Sequence, residues 1–510
     1  MKRKLILMYC VLQALLFVGC SSSDKEEVLL PPEISGLEEN YVIMAGDDLI
    51  LTPTVKNTKE PIYQWVLNKE QVADGETYTF TESAEGNYDL LFRVSDKGGV
   101  AEHAMMVTVL LREPIKIETT TLTILNLERP ESLVNAAQVE WKVLTGSSNL
   151  YRLSNPTGDN PMFVAVHAGE YHLQVSDGKI IEQVVVTVAD LAEAASPYTA
   201  KVFDFLPAPG QFVNDLPKYQ EGDTYEDMVK KAEKSIAGEN ASMISLGGWG
   251  GYVVFGFDHT IVNVAGRRDF RINGNAFGSA GGRPGAPFGG SCEPGIIMVA
   301  YDKNKNGIPD EDEWYEIKGS SNFGGEKEPW FQFAVDNKND TKVYRDYEMT
   351  YYKPTNEKPT VDGDPGNPNA YVSIDKYIRW ENNKGGSGYK VKNVFHSQSY
   401  YPKWVDQESL TFKGIRLQEN GINEGEYMPG INDGNVYFVL YGFRYGYVDN
   451  YPNRDDNSAI DIDWAVDKEG NKVDLPGIDF VKVYSGVDQE NGWLGECSTE
   501  VERGEDLHLL

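Results

Sequence analysis

The sequence predicts an all-β protein made of successive β-sandwiches, with one or few helices. Two observations support this prediction. Short runs of alternating apolar and polar residues recur along the chain, bounded by glycine, aspartate and asparagine, which is typical of half-buried strands of about 5–8 residues. The strand-like runs do not alternate with helical segments, so a parallel sheet of the α/β type is not indicated.

The first residues predict a secreted and membrane-anchored protein. Three basic residues precede an apolar run from Leu5 to Val18, which is too short to span a bilayer and is typical of a signal peptide. We expect residues 1–19 to be this signal and residues 20–31 to form a polar tether. The stretch FVGC, ending at Cys20, resembles a bacterial lipobox, and the serines and acids after it resemble the surface-export signal of gut Gram-negative lipoproteins. The resemblance implies a lipid on Cys20 and a place on the outer membrane, facing the cell exterior.

The chain is strongly acidic. Its 510 residues include 78 aspartates and glutamates against 47 lysines and arginines, a formal net charge of −31. Such a chain repels nucleic acid and anionic lipid head groups and favours divalent cations. Aromatic residues make up 11% of the chain, which is too many for a disordered protein. We therefore expect a folded protein that contacts the membrane through its lipid anchor only and binds no nucleic acid.

Residues 32–112 and 113–189 are predicted to form two related sandwiches. The segment GNYDLLFRVSDKGG, starting at Gly86, returns as GEYHLQVSDGK from Gly169, and a tryptophan precedes each copy. A tryptophan on a central strand and a tyrosine on a later one are typical of an immunoglobulin-type core. The residues that we expect in these cores are Trp65, Tyr88, Trp141 and Tyr171. Both stretches resemble the PKD-like modules of bacterial surface proteins, which implies spacer or adhesion units.

Residues 197–510 are predicted to form a larger, jelly-roll-like β-sandwich. Strand-like runs such as GYVVFGF, GIIMVAYD and VYFVLYGF recur in this part. The motifs SLGGWGGYVVFGFDHTIVN and EPGIIMVAYDKNKNGIPDEDEWYEIKGS resemble a widespread family of bacterial surface lipoproteins with a PKD-like N-terminal segment. Some such proteins resemble neighbours of outer-membrane uptake systems for glycans or corrinoids. The resemblance implies a cell-surface location and an outer-membrane transporter as a candidate partner.

One helix is predicted within this part. Asp223 or Thr224 can cap its first turn, Glu226 can complete a capping box, and the helix can end at Gly238. Apolar or aromatic residues recur on one face of the helix at helical spacing. They are Tyr225, Met228, Val229, Ala232 and Ile236. We expect this face to pack on the side of a sheet.

The run YDKNKNGIPDEDEWYE, from Tyr301 to Glu316, predicts a calcium site. A twelve-residue calcium loop needs oxygen ligands at positions 1, 3, 5 and 12, glycine at 6, a carbonyl at 7 and a side chain or water at 9. Counted from Asp302, positions 1, 3, 5, 6, 7, 9 and 12 are occupied in turn by Asp302, Asn304, Asn306, Gly307, Ile308, Asp310 and Glu313. A strand-like run precedes the loop and Pro309 lacks an N–H, so we expect a structural calcium loop between strands rather than an EF-hand. A polar hairpin turn without metal is the alternative.

Other candidate sites rest on weaker patterns. Asp461 and Asp463 alternate on one strand-like run and could join a second cation site or form a solvated edge. Cys292 and Cys497 remain after the signal and the anchor are set aside, and they could pair in an oxidising compartment. Flat aromatic faces suit stacking on a sugar ring or a cofactor-like ligand, with core packing as the alternative. The aromatic candidates are Tyr400, Tyr401, Trp404 and Tyr451.

The sequence contains no recognisable catalytic motif. Its six histidines form no HExxH-type pair and a GxSxG motif is absent, so no catalytic residue is nominated. We therefore expect a surface lipoprotein that captures a glycan without catalysis and uses calcium as a structural cofactor. The alternatives are an accessory protein that captures a corrinoid or another small nutrient beside an outer-membrane transporter, an adhesin, and a glycoside hydrolase with unrecognised acids.

Overall fold

The structure is a computed structural model that describes residues 29–145, 150–191, 195–239, 242–279, 283–362, 371–427 and 436–510. The predicted signal peptide and the predicted lipidation site Cys20 lie outside these residues. The chain divides into two units. The first unit comprises the chain up to Arg112 together with the short segment Lys179–Ile181. The second unit comprises Glu113–Gly178 and Glu182–Leu510. In the described ranges, no helix has both the length and the apolar character needed to cross a membrane.

Nine strands make up the described part of the first unit. They are β1 (Glu33–Ser35), β2 (Asn40–Met44), β3 (Asp48–Leu51), β4 (Thr54–Lys56), β5 (Ile62–Leu67), β6 (Glu70–Ala73), β7 (Tyr78–Thr81), β8 (Gly86–Asp96) and β9 (Gly99–Leu110). The main sheet has the order β2-β9-β8-β5-β6, and the smaller pairs are β3-β7 and β1-β4. β2 runs parallel to β9, with Asn40 opposite Met106. Because successive side chains project to opposite faces, the alternating sequence pattern places one face of these strands in the core.

Trp65 lies in the core of the first unit. Its side chain is fully buried and stacks on Phe92 with ring centroids 4.3 Å apart. Its indole N–H donates to the carbonyl of Gly75 at 2.9 Å, which offsets the cost of burying a polar group. Tyr88 packs against the same cluster. The prediction that Trp65 and Tyr88 are core residues is confirmed.

Seven further strands form the second sandwich. They are β10 (Ile115–Thr120), β11 (Leu125–Asn126), β12 (Glu140–Val143), β13 (Tyr151–Ser154), β14 (Met162–Ala165), β15 (Gly169–Ser176) and β16 (Ile181–Ala189), with a 3₁₀ turn at Glu131–Leu133. The two sheets have the orders β10-β16-β15-β12 and β11-β14-β13.

The two sandwiches share a local arrangement. The hydroxyl of Tyr88 donates to the carbonyl of Ala84 at 2.9 Å, and the hydroxyl of Tyr171 donates to the carbonyl of His167 at 3.0 Å. In both sandwiches the acceptor lies four residues upstream of the tyrosine. β2 is parallel to β9 and β10 is parallel to β16. Trp141 is buried together with Tyr171, so the sequence repeat corresponds to a repeat in structure, as expected of an immunoglobulin-type sandwich.

The remaining elements lie in the second unit. The strands are β17 (Lys201–Leu206), β18 (Ile244–Ser245), β19 (Tyr252–Val262), β20 (Phe270–Asn273), β21 (Phe277–Gly278), β22 (Gly289–Ser291), β23 (Gly295–Ala300), β24 (Trp314–Ile317), β25 (Tyr344–Tyr352), β26 (Val372–Asn382), β27 (Ser387–Asn393), β28 (Ser409–Arg416), β29 (Gly421–Asn423), β30 (Phe438–Tyr441), β31 (Ala459–Ile460), β32 (Ala465–Val466), β33 (Gly477–Ser485), β34 (Glu500–Val501) and β35 (Arg503–Asp506). The α-helices are α1 (Tyr225–Ile236) and α2 (Phe331–Asp336), and 3₁₀ turns occupy Gly425–Tyr427, Asp456–Ser458, Ile462–Trp464 and Gly492–Leu494.

Two sheets contribute to the main core of this part. A six-stranded sheet has the order β17-β19-β33-β23-β24-β32, and a four-stranded sheet has the order β27-β26-β25-β28. One apolar cluster contains buried side chains of both, among them Phe255 and Val481 from the first and Met349 and Phe412 from the second. Smaller sheets have the orders β21-β22-β30-β29, β31-β20-β35 and β18-β34. The prediction of an all-β protein built from sandwiches is confirmed.

Helix α1 begins as its sequence indicates, with one difference. The side chain of Thr224 accepts a hydrogen bond from the N–H of Asp227 at 3.2 Å, and the carboxylate of Asp227 accepts one from the N–H of Thr224 at 3.1 Å. The acid of the capping box is therefore Asp227 and not Glu226, because the box needs the third helical residue. The predicted inner face is confirmed by the burial of Met228, Ala232 and Ile236.

Arg152 of β13 joins the second sandwich to the C-terminal sheets. Its side chain lies 2.8 Å from the carboxylate of Asp463 and donates to the side-chain oxygen of Asn263 at 2.9 Å. It also pairs with Asp474. Because a buried charge is costly unless it is paired, these contacts order the two parts of the unit. The same parts share an apolar cluster of Val164, Val262 and Val264.

Candidate functional site

The predicted calcium loop connects two paired strands. Residues 302–313 lie between β23 and β24, whose antiparallel pairing places Ala300 opposite Trp314. At the start of the loop, the N–H of Asp302 donates to the carboxylate of Asp479 on β33 at 2.7 Å. Burial raises the pKa of Asp479. The loop is thus held at one end by the sheet from which it emerges.

Backbone N–H groups within the loop point at its oxygen-bearing side chains. Asp302 accepts hydrogen bonds from the N–H groups of Gly307 at 2.7 Å and Asn306 at 3.1 Å. Asn304 accepts from Asn306 at 3.0 Å, and Asn306 accepts from Ile308 at 2.7 Å. Gly307 has a φ of +72°, a conformation that favours glycine. Since each oxygen has a second lone pair, these bonds orient the side chains and still leave them able to bind a cation.

Glu313 closes the loop from its other end. Its side chain is buried, with 2% exposed, and its Oε1 accepts a hydrogen bond from the N–H of Lys303 at 2.9 Å. Among the described residues, its Oε2 has no hydrogen-bond partner. A buried carboxylate oxygen without a partner is costly, and coordination to a cation would satisfy it. A simple polar turn leaves this oxygen unexplained.

The three carboxylates predicted as ligands in the loop do not converge on one point. In the part of the chain that the structure describes, Asp302, Asp310 and Glu313 are not among the residues that bring three ligand atoms within 4.8 Å of one another. Asp310 instead accepts hydrogen bonds from the side-chain amides of Asn304 at 2.8 Å and Asn306 at 2.9 Å. Amide nitrogens thus contact Asp310 where a shared cation would require oxygens.

A different group of carboxylates does converge. Glu293, Asp449 and Glu500 place carboxylate oxygens within 4.8 Å of one another. Burial raises the pKa of Asp449 to about 7, and burial together with the charge of Asp449 raises the pKa of Glu500 to about 8. Ser498 donates hydrogen bonds to Glu293 and Glu500, each at 2.9 Å. We interpret this carboxylate trio as a proton-sharing part of the core, and no sequence motif predicts it because its members are far apart in the chain.

Cys292 and Cys497 are buried free thiols. The pairing that the sequence suggested is not formed. Burial raises the pKa of both thiols well above the ordinary range, and the charges of Asp449 and Glu293 add to the effect. A buried thiol with a raised pKa is a poor nucleophile and packs as a small apolar group. The two cysteines therefore belong to the surroundings of the carboxylate trio.

The predicted aromatic ligand site lies largely in the core. Tyr400, Tyr401 and Trp404 are 3%, 2% and 8% exposed, and all three belong to the main apolar cluster. Rings whose faces are covered cannot stack on a sugar, so the structure favours the alternative of core packing for these three residues. Tyr451 is half-buried and stacks on Phe288 with ring centroids 5.0 Å apart, which covers one of its faces.

Asp461 and Asp463 each face an arginine. Asp461 lies 2.8 Å from Arg268 and Asp463 lies 2.8 Å from Arg152. Burial raises the pKa of Asp461. For Asp463 burial acts in the same direction, but the hydrogen bond and charge of Arg152 outweigh it and the pKa is lowered. Because both carboxylates already have cationic partners, this pair is an ion-pair network rather than a candidate cation site.

Comparison with known proteins assigns one part of the chain. Residues 31–96 match the family described as PKD-like domain. This segment is a PKD-like domain. No curated protein matches the chain. The match covers most of the first unit and none of the C-terminal sheets.

Several solved structures are similar to parts of the chain. An I-band fragment of titin, I67–I69, is 13% identical, with 32% of this chain and 66% of the fragment covered and a TM-score of 0.16. The PKD domain of human KIAA0319 is 20% identical, with 19% and 95% covered and a TM-score of 0.15. The insect immune protein hemolin is 13% identical, with 33% and 49% covered and a TM-score of 0.17. Because these TM-scores are low, the fold class is assigned from the strands and sheets of this chain.

Proposed function

We propose that this protein is a lipid-anchored capture protein of the outer membrane surface, which binds a glycan without catalysis and whose C-terminal sheets are stabilised by one calcium ion. The PKD-like domain at residues 31–96 supports a binding or adhesion role, since such domains are typically non-catalytic. The single observation that supports calcium is the buried, unpartnered Oε2 of Glu313.

The loop residues fit a calcium ion in type and in number. Calcium takes 6–8 oxygen ligands. Side-chain oxygens of Asp302, Asn304, Asn306 and Asp310, the backbone carbonyl of Ile308 and both oxygens of Glu313 would supply them. When bound, the ion would supply positive charge and fix the loop between β23 and β24. The role proposed for the ion is structural, because the loop connects two paired strands of the sheet.

Calcium binding is tested by titration calorimetry and thermal unfolding of the purified ectodomain. We expect one site with a dissociation constant of about 10⁻⁴–10⁻³ M, the range of extracellular calcium modules. Glu313→Gln should weaken binding at least tenfold and remove the stabilisation by calcium. Glu311→Gln, which changes an exposed acid at a spacer position of the same loop, is the matched control and should bind as the wild type does. A melting temperature that is indifferent to chelator would contradict the proposal.

The membrane anchor has its own test. Cys20→Ser should abolish labelling by radioactive palmitate and release the protein from the membrane fraction, because lipid attachment needs the thiol. Surface exposure is then checked by adding protease to intact cells. A wild-type protein that stays in the soluble periplasmic fraction would contradict the anchored location.

The nature of the ligand separates the proposed function from its alternative. On a glycan array, the protein should bind at least one glycan in a buffer that contains calcium. Titration with a corrinoid, followed by tryptophan fluorescence, tests the accessory role beside a transporter, which rests on resemblance alone. A blank array with saturable quenching by the corrinoid would replace the first function by the second.

A further inference from the structure

A groove opens beside the four-stranded sheet of the C-terminal part. Its volume is about 460 Å³, within the range of roughly 300–1,000 Å³ that is typical of small-ligand sites. The strands β25 to β28 supply most of its wall, and the segment after β33 completes it. Its lining is unusual in combining aromatic rings with charged side chains of both signs. The lining includes Asp340, Tyr344, Trp380, Lys390, Arg416 and Asp488.

Trp380 supplies a flat aromatic surface at the groove. On β26 it lies opposite Tyr351 on one side and Gly388 on the other. A Cβ atom on Gly388 would lie 2.9 Å from the indole, so the glycine lets the ring lie close against β27. The residue is half-buried and packs against the main core. The indole is thus held by the sheet and still partly exposed to solvent.

Arg416 organises the polar side of the groove. Its guanidinium donates to Asp340 at 2.8 Å and to Glu419 at 3.0 Å. Asp340 also accepts a hydrogen bond from the hydroxyl of Tyr344 at 3.1 Å. The Nε of Arg416 is buried without a hydrogen-bond partner among the described residues, and the carboxylate of Asp488 lies 3.8 Å away. The carboxylates around Arg416 are therefore held in fixed positions, where they can accept hydrogen bonds from hydroxyl groups.

Two of the four carboxylates of this groove remain accessible while its cations are engaged. The side chains of Asp340 and Glu490 are 37% and 38% exposed, whereas that of Arg416 is 6% exposed. Lys390, also 6% exposed, lies 2.9 Å from Glu490. Burial acts to lower the pKa of Lys390, but the charge of Glu490 outweighs it and the pKa is raised.

The charge balance of the groove excludes an anionic ligand. Four carboxylates and three cationic side chains line it, and the cations are paired with acids. An anionic sugar would meet exposed carboxylates in a chain with a net charge of −31, which disfavours its approach.

We propose that this groove binds a neutral saccharide, with a sugar ring stacked on the indole of Trp380 and its hydroxyls hydrogen-bonded to the carboxylates around Arg416. Stacking on an aromatic face suits the apolar side of a sugar ring, and the carboxylates of the groove accept hydrogen bonds from sugar hydroxyl groups. The inference rests on the proposed glycan capture and adds the site and the class of glycan.

The test uses the full ectodomain in calcium on an array of neutral gluco-, manno-, galacto- and xylo-oligosaccharides beside sulfated and uronic acid glycans. We expect binding to neutral members only. Trp380→Ala should raise the dissociation constant for the best neutral oligosaccharide at least tenfold, as measured by calorimetry. Trp380→Phe should raise it less. Asp488→Asn, which changes a hydrogen-bond acceptor without changing the size of the side chain, should raise the dissociation constant three- to tenfold. This variant still tests the groove if Trp380→Ala does not fold.

Tyr352→Ala is the matched control. Tyr352 follows Tyr351 on β25 and so faces the opposite side of the same sheet, where Arg379 covers its ring at 3.7 Å. The Tyr352→Ala variant should bind the best neutral oligosaccharide with a dissociation constant within twofold of that of the wild type. Neutral glycans that bind all variants equally would overturn the groove assignment and leave glycan capture standing. Binding to polyanionic glycans alone, or to a corrinoid in a way that Trp380→Ala abolishes, would overturn the ligand class. A blank array would overturn glycan capture itself.

Discussion

The carboxylate of Glu313 accepts a hydrogen bond from the N–H of Lys303 at 2.9 Å, across a loop of residues between two paired strands. The contact brings the last acid of the loop back to its beginning and buries it. The second oxygen of the same carboxylate has no hydrogen-bond partner among the described residues. Backbone hydrogen bonds thus orient the side chains of the loop, and one buried carboxylate oxygen within it is left without a partner among the described residues.

Gly307 should be sensitive to substitution for a reason of backbone conformation alone. Its φ is +72° and an added Cβ would meet no atom within 4 Å, so Gly307→Ala should cost about 1–2 kcal/mol from the left-handed conformation. Asn tolerates this conformation better, and Gly307→Asn should cost less. Urea unfolding in calcium measures both. An alanine variant as stable as the wild type would show that the loop does not need this turn.

Arg152 should contribute strongly to the stability of the second unit. Its removal leaves Asp463 with Lys472 as a cationic partner and Asn263 without its buried donor. Losing one side of a fully buried ion pair costs about 3–5 kcal/mol, and the low end applies here because Asp463 is 23% exposed. We expect Arg152→Ala to lower the free energy of unfolding by roughly 3 kcal/mol in urea. Lys413→Ala, which breaks a solvent-exposed pair with Glu348 in the same unit, should change it by about 0–1 kcal/mol. Equal effects of the two substitutions would contradict a special role of Arg152.

The carboxylate trio should make the protein less stable as the pH rises. The folded-state pKa values of Asp449 and Glu500 are raised to about 7 and about 8 by burial, whereas unfolded carboxyl groups lose their protons near pH 4. Between about pH 4 and pH 8 the folded state therefore holds more protons than the unfolded state, and the stability contributed by these groups is lost across that window.

Glu500→Gln removes one of these titrations and should flatten the profile. We expect the variant to gain stability relative to the wild type at pH 8 and to gain little at pH 5, measured by thermal unfolding in buffer with EDTA. The chelator removes any effect of a divalent ion. A variant and a wild type whose pH profiles run parallel would show that Glu500 does not titrate in this range.

The cap of α1 can be tested by a pair of substitutions. Thr224→Ala should cost about 1 kcal/mol, the usual value of an N-cap. Asp227→Asn should cost a few tenths of that free energy, that is, less than Thr224→Ala. It weakens the hydrogen bond that the side chain of residue 227 accepts from the N–H of Thr224, and it removes a negative charge at the helix start. Glu226→Gln removes a charge at the helix start as well but no hydrogen bond of the capping box, so it should cost less than Asp227→Asn. Denaturant unfolding measures all three, and a larger effect of Glu226→Gln than of Asp227→Asn would contradict the observed cap.

Patterns between residues close in the chain predicted much of this protein. Alternation predicted the strands, the repeat around Tyr88 and Tyr171 predicted two similar cores, and helical spacing predicted the buried face of α1. The acidic segment of residues 302–313 could also be predicted as a loop between strands, because its polar residues and its glycine are close in the chain. These features depend on propensity, side-chain period and turn geometry, which act over a few residues.

The sequence by itself therefore determined the all-β class, the module cores and the set of oxygens offered to a cation. Only the tertiary structure decided that Tyr400 and Trp404 are covered, that Cys292 and Cys497 stay unpaired, and that Trp380 and Arg416 line one groove. The physical reason is that burial and convergence depend on which sheets pack together. Contacts between residues as distant as Trp380 and Asp488 arise from that packing, and no local pattern encodes them.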